Sequence, residues 1–183
     1  MDIRTWILGL LGVCLVFALF PPTARSQEGL GTTVPEFPRL RTSNGALTAL
    51  IDEAMKGSPT FAKLVGSLET TDGVVFVEEG RCQHGVPACL TWRVTLAGPY
   101  RLLFVLIDIR RPGDDVVASV GHELQHALEV LSEASVRSPE AIHMLYLRGM
   151  SPESPRAMET TAAEAAGRAV FREFRRYRSR AQK

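Results

Sequence analysis

The chain has 183 residues, of which 21 are basic, 20 are acidic and 45% are hydrophobic. This length fits one globular domain that can bury a proper core. The near balance of charge gives no basis for binding nucleic acid, so we expect no nucleic-acid partner.

Residues 1–26 are typical of a secretory signal peptide. Arg4 supplies a short positive region, residues 6–20 are almost wholly apolar, and small residues at 24 and 26 suit a signal peptidase. The apolar run is about 15 residues, whereas a membrane-spanning helix needs roughly 20. We therefore predict cleavage near Ser26 and a periplasmic or secreted protein. The alternative is an uncleaved N-terminal anchor, and a retained signal would be the expected contact with the membrane.

Two cysteines, Cys82 and Cys89, are left once the signal containing Cys14 is removed. An even count in an exported protein favours a disulfide, and the intervening glycine and proline allow the chain to turn back. By loop entropy such a short bridge contributes about 2–3 kcal/mol. The alternative is a metal site built from Cys82, His84 and Cys89.

The rest of the chain divides into a leader and one domain. Residues 27–42 are rich in Gly, Pro and Thr without periodicity, which predicts a flexible leader, and 43–183 is the predicted single domain. Apolar periodicity and capping residues predict helices over about 44–56, 61–68, 114–132, 139–147 and 158–178. The expected N-cap is Ser43 or Asn44 for the first helix and Asp114 or Asp115 for the third, and Ser58-Pro59 opens the second.

Three β-branched and aromatic runs predict strands over about 73–80, 90–96 and 100–111. Their short connections favour an antiparallel meander in which the cysteine pair staples the first hairpin. The third run is apolar almost throughout, as expected for a strand buried on both faces. The predicted fold class is therefore α+β, with a small antiparallel sheet of about three strands packed with helices.

The segment "VGHELQHALEVL", residues 120–131, carries the chemistry. His122 and His126 are four residues apart, so on a helix they share one face and can hold a metal at about 2.0–2.1 Å. Glu123 lies roughly 100° around the helix, where it can reach a metal-bound water but not easily join both imidazoles as a ligand. This HExxH arrangement predicts Zn²⁺ bound by the histidines, with Glu123 as general base. The alternative is two histidines in the core of a structural helix.

A catalytic zinc usually has three protein ligands and a water. Glu129 lies about 10.5 Å along the helix from His122, so we expect it to support a ligand or lie on the surface. Glu159 is the preferred third ligand, because it begins the core-facing stripe of the last helix and is followed by small residues. Glu164, nearer the edge of this stripe, is the alternative. If it does not bind a metal, either residue is an ordinary glutamate at the surface or at the start of the helix.

His143 and Tyr146, on the predicted helix 139–147, are candidates for stabilising an oxyanion. Histidine or tyrosine in such an apolar helix is also typical of the core or its rim.

"HELQH" followed by a glutamate on a later helix resembles the gluzincin metallopeptidases, especially their minimal, single-domain form. The resemblance covers roughly residues 100–180. It implies a zincin-like fold and a peptide or protein substrate. It also implies roles for specific residues, namely zinc ligands at His122, His126 and Glu159 and a general base at Glu123.

The chain departs from this family at one position. Many gluzincins carry an acid four residues after the third ligand, and that acid supports the first histidine. Here Ala163 stands at this distance from Glu159, and Arg168 at this distance from Glu164. Support for the ligands must therefore come from elsewhere, or the ligand assignment is wrong.

The expected function is an exported zinc-dependent hydrolase, specifically a small metallopeptidase that uses a zinc-bound water. One alternative is a non-catalytic exported zinc-binding or structural domain that retains the HExxH helix. Another is an exported α+β domain without a metal.

Overall fold

The computed structural model describes residues 37–149 and 159–183. The predicted signal peptide, residues 27–36 of the predicted leader and the segment 150–158 lie outside the described residues. The described chain belongs to one compact unit, Phe37–Lys183. Among the helices described, none combines the length and apolar character needed to cross a membrane.

The α+β class is confirmed. The described residues form helices α1 (Gly45–Gly57), α2 (Pro59–Glu69), α3 (Gly113–Ser132), α4 (Pro139–Gly149) and α5 (Thr161–Ala181). They also form strands β1 (Leu40–Arg41), β2 (Gly73–Glu79), β3 (Ala88–Ala97) and β4 (Tyr100–Ile107), with a short 3₁₀ turn at Gln83–Gly85.

The sheet is mixed, in the order β1-β2-β4-β3, so the predicted antiparallel meander is wrong. β3 and β4 form the expected antiparallel hairpin around Gly98, whose φ of 58° suits glycine. β2, however, pairs with β4 in parallel, with Val75 opposite Leu103. The chain between β2 and β3 is long enough to cross over, which lets the most apolar strand take the central position.

The disulfide between Cys82 and Cys89 is confirmed, but it does not staple a hairpin. It closes the crossover between β2 and β3, which are separated in the sheet by β4. A disulfide is compatible with the predicted export.

The prediction that β4 is buried on both faces is also wrong. Alternate residues from Arg101 to Ile107 are buried on the side where the helices pack, while the residues between them are only half-buried. On that other side Phe104 stacks on Phe76, and the Arg93 guanidinium lies 3.4 Å from the centroid of the Phe104 ring. Aromatic stacking and a cation–π contact, in place of a second layer, account for the apolar residues there.

The last residues of the predicted flexible leader form an edge strand. Leu40 is buried and pairs in parallel with Val75, and Arg41 pairs with Phe76. Two residues are too few to show a periodicity of two, so the sequence pattern carried no strand signal here.

The predicted N-cap residues are confirmed for α1 and α2 but not for α3. Asn44 and Ser58 accept backbone N–H groups as N-caps of α1 and α2. In α3 the N-cap position is Pro112, so Asp114 and Asp115 lie inside the first turn and the predicted capping role is wrong. Acidic side chains in a first turn still interact favourably with the helix dipole.

A buried arginine on β4 holds the C-terminal end of α3. Arg101 is 1% exposed, and its Nε and Nη2 donate to the Asp72 carboxylate at 2.6–3.0 Å. Its Nη1 and Nη2 also donate to the backbone carbonyls of Val130, Leu131, Glu133 and Val136. Val130 and Leu131 belong to the last turn of α3, where carbonyls lack the usual intrahelical partners, and Glu133 and Val136 follow the helix in the chain. Arg101 therefore fixes the end of α3 to the sheet.

We expect Asp72→Asn to destabilise the protein by about 1–3 kcal/mol at pH 7, because it removes a charge-assisted hydrogen bond to buried Arg101. The Arg101 hydrogen bond holds the pKa of Asp72 below its usual 3.8. The stabilisation is therefore complete above about pH 4 and is lost as the pH falls through the lower folded-state pKa. Urea unfolding at several pH values measures this. Asp52→Asn, at an exposed position on α1, is the control, and an equal effect of both substitutions would contradict the assignment.

Candidate metal centre

Three side chains from two parts of the chain converge at one end of the α3–α5 pair. The Nε2 atoms of His122 and His126 are 3.1 Å apart, and His122 Nε2 is 3.4 Å from Glu159 Oε2. All three potential ligand atoms lie within 4.8 Å of one another. This group could hold a metal ion.

The spacing and chemistry of these atoms fit a divalent metal. Ligands at about 2.0–2.1 Å around a tetrahedral metal are separated by about 3.3 Å, close to the two short distances observed. Two imidazoles and one carboxylate suit several divalent transition metals, so the ligand set by itself does not identify the ion.

Glycines let α5 approach α3 closely enough to bring Glu159 over the histidine face. A Cβ on Gly121 would lie 2.8 Å from Val170 Cγ2, and a Cβ on Gly167 would lie 3.2 Å from His122 Cβ. Any larger residue at Gly121 would push the helices apart. The sequence predicted a close approach from the small residues that follow Glu159, but it did not single out these two glycines.

Glu159 reaches the group from outside the helix. The helix was predicted to begin near Met158, with Glu159 in its first turn, but α5 begins at Thr161 with Thr160 as its N-cap. Met158 itself lies outside the described residues. The Glu159 side chain is 37% exposed at the rim, whereas the remaining stripe residues are buried, namely Ala163, Ala166, Val170 and Phe174.

Glu164, the alternative third ligand, lies outside the group. Its carboxylate pairs with Arg168 at 3.1 Å on the exposed side of α5. The structure therefore groups Glu159, rather than Glu164, with the two histidines.

Glu129 supports His126. Its Oε2 accepts a hydrogen bond from His126 Nδ1 at 3.0 Å, and its Oε1 accepts one from the Thr160 hydroxyl at 2.7 Å. With the proton on Nδ1, the Nε2 lone pair of His126 faces the ligand group, as metal binding requires. Of the two roles expected for Glu129, support of a ligand or a surface position, the structure shows the supporting contact, and it acts on the second histidine.

The two histidines differ in their titration. Burial lowers the pKa of His122, which favours the neutral form that binds metals. Burial also acts to lower the pKa of His126, but the Glu129 hydrogen bond and the nearby carboxylates outweigh it and raise the pKa. Protons and metal ions therefore compete for His126.

Glu123 belongs to the site without being part of the ligand group. It is 6% exposed, and its Oε2 accepts the backbone N–H of Leu90 on β3 at 2.6 Å. Burial raises the pKa of this carboxyl to about 7. A group with this pKa can both take and give a proton near neutral pH.

A cavity of about 240 Å³ opens beside these residues. Its polar lining residues are Ser119, His122, Glu123 and Glu159. Its apolar lining residues are Ala118 on α3 and Val86, Pro87 and Ala88 at the end of the disulfide-closed crossover. The crossover thus supplies most of the apolar lining.

The two predicted oxyanion stabilisers lie in different surroundings. Tyr146 is 8% exposed, and its ring centroid lies 5.7 Å from that of His126. Burial and the neighbouring carboxylates raise the pKa of Tyr146, so its hydroxyl stays protonated. His143 is exposed and its ring packs against Trp92, with the centroids 4.8 Å apart and the planes tilted by 39°, so the structure does not group it with the candidate metal ligands.

Two contacts at the site were not anticipated from the sequence. The Thr160 hydroxyl and the Leu90 N–H each bind a site carboxylate. A threonine before a helix is an N-cap signal that could have directed attention to Thr160. A backbone N–H has no sequence signal at all.

No family profile, no curated protein and no solved structure matches this chain. The function must therefore be argued from the geometry of the site.

We expect Zn²⁺ to bind this group and to raise the melting temperature, since a ligand at 100 times its Kd stabilises by about 2.7 kcal/mol. Glu159→Gln should weaken Zn²⁺ binding by at least about tenfold, because it removes an anionic ligand. Glu164→Gln should leave the affinity unchanged. Competition with a chromophoric chelator, using protein without a His tag, measures both. If only Glu164→Gln weakened Zn²⁺ binding, Glu164 rather than Glu159 would be the third ligand.

Proposed function

We propose that the protein is an exported zinc-dependent hydrolase, a small metallopeptidase of the gluzincin type. The observation that supports this most is the position of Glu123. It is a buried carboxylate outside the ligand group that lines the same cavity as His122 and Glu159. A purely structural metal site has no need of such a residue, because structural zinc sites are closed by four protein ligands.

The residues that would hold zinc are His122, His126 and Glu159, and two of them, His122 and Glu159, also line the cavity. When bound there, zinc lowers the pKa of a coordinated water toward about 7 and polarises the substrate carbonyl. The two imidazole groups, with ligand-atom distances of 3.1 and 3.4 Å, support zinc over metals that need six oxygen ligands.

Glu123 is the proposed general base. Its carboxylate takes a proton from the attacking water and later delivers that proton to the leaving amine. The Leu90 N–H fixes one oxygen of this carboxylate at 2.6 Å, so the other oxygen is available for the proton transfer. A nearby cation lowers the pKa of a carboxyl, so a bound metal favours the ionised form that the base requires.

Tyr146 is the proposed oxyanion stabiliser. Its raised pKa keeps the hydroxyl protonated, so it can donate a hydrogen bond to the negative oxygen that forms as water attacks. The packing of Tyr146 against His126 places it beside the ligand group. His143, which packs against exposed Trp92, is better suited to the rim of the substrate-binding surface than to the reaction itself.

A peptide is the proposed substrate. β3 is the last strand in the sheet order, so its outer edge has no partner strand in the described sheet, and this edge carries the Leu90 N–H that reaches Glu123. An extended peptide can pair with such an edge and lie across the cavity. The apolar wall at Val86, Pro87 and Ala88 would then contact its side chains.

We expect Glu123→Gln to reduce hydrolysis of a quenched fluorescent peptide mixture by about 10²–10⁴-fold, the usual contribution of a general base. Zinc content should stay the same, because Gln can still accept the Leu90 N–H and Glu123 is not a ligand. Glu133→Gln, at the exposed C-terminal end of α3, is the matched control and should keep full activity.

Two outcomes would contradict this proposal. If Glu123→Gln retained wild-type turnover, the mechanism would be wrong. If zinc-loaded wild-type protein hydrolysed no peptide, the non-catalytic zinc-binding domain would be the better interpretation.

A further inference from the structure

Thr160 occupies a junction between two elements of the metal centre. Its hydroxyl donates a hydrogen bond to Glu129 Oε1 at 2.7 Å. The same oxygen accepts the backbone N–H of Ala163 at 3.1 Å, which makes Thr160 the N-cap of α5. One hydroxyl group, with one proton and two lone pairs, can make both bonds at once.

The Thr160–Glu129 hydrogen bond has a candidate metal ligand next to each of its two residues, Glu159 beside Thr160 and His126 beside Glu129. Glu159 directly precedes Thr160 and reaches His122 Nε2 at 3.4 Å. The other oxygen of Glu129 holds His126 Nδ1 at 3.0 Å. Glu129 therefore contacts one ligand directly, and through Thr160 it fixes the backbone next to another.

Glu159 needs such a restraint because it lies outside the hydrogen-bonded ladder of α5, which begins at Thr161. A half-exposed residue before a helix loses conformational entropy when it is held in one position. A ligand that is already positioned does not have to lose this freedom when the metal binds, so the affinity is higher.

We propose that Thr160 is a positioning residue of the metal centre. Its hydrogen bond to Glu129 holds the side chains of Glu159 and His126 in their ligand positions before a metal binds. This inference rests on the proposed zinc centre, but it does not depend on turnover. We call the Glu129–Thr160 hydrogen bond the latch.

The latch is tested by Zn²⁺ affinity of the full mature chain, measured by competition with a chromophoric chelator. Thr160→Val keeps the shape of the side chain but removes the hydroxyl, and we expect affinity to fall about 10–100-fold, the usual effect of losing a residue that supports a ligand. Thr160→Ser retains the hydroxyl and should restore most of the affinity. Thr161→Val, at the neighbouring exposed threonine, should bind like wild type.

A double-mutant cycle separates the latch from helix capping. If Thr160 acts through Glu129, Thr160→Val should cause no further loss of Zn²⁺ affinity in a Glu129→Ala background. Loss of the N-cap should lower the melting temperature of the metal-free protein in both backgrounds, because capping of Ala163 does not involve Glu129.

The outcomes distinguish this inference from the proposed function. Wild-type affinity in Thr160→Val, or fully additive losses in the cycle, would overturn the latch while leaving the zinc hydrolase intact. Wild-type protein that binds no Zn²⁺ would overturn both. The latch is supported if Thr160→Val weakens Zn²⁺ binding, Thr160→Ser restores it, and Thr160→Val has no further effect in the Glu129→Ala background.

Discussion

The close crossing of α3 and α5 is the contact on which the rest of the site depends. α3 supplies the two histidines, but the carboxylate that completes the group comes from Glu159, just before α5. Gly121 and Gly167 allow the helices to approach until Val170 and His122 fill the space that side chains would otherwise occupy. Protein interiors are packed densely, so added atoms at such a crossing move whole helices rather than single groups. A small separation there would withdraw Glu159 from His122.

The site buries several charged groups, and each has a specific partner. Glu123 accepts the Leu90 N–H, while Glu129 accepts hydrogen bonds from His126 and Thr160. Further along α3, Arg101 joins the end of the helix to Asp72 on the chain entering β2. Burying a charge is costly unless hydrogen bonds compensate, so these partners also fix α3 in position along its length. The arrangement that stabilises the fold thus also orients the candidate catalytic groups.

Local sequence patterns located the helices and strands well but did not reveal how the strands pair. The capping residues Asn44 and Ser58 and the disulfide were predictable because each depends on a few neighbouring residues. The parallel pairing of β2 with β4 was not predictable, because an alternating or apolar run of residues identifies a strand but not the strand with which it pairs. The half-exposed outer side of β4 was misjudged for the same reason. Phe104 on that side contacts Phe76 and Arg93 on neighbouring strands rather than a second layer of helices.

By itself, the sequence determined that His122 and His126 share one face of a helix with Glu123 beside them, because helical geometry is set within a single turn. It also narrowed the third ligand to two glutamates. Only the tertiary structure grouped Glu159, and not Glu164, with the two histidines, and only it revealed that Thr160 joins Glu129 to α5 and that the Leu90 N–H binds Glu123. The physical reason is that these contacts join segments about 30 residues apart, so they depend on how closely and at what angle two elements pack, which local periodicity does not encode.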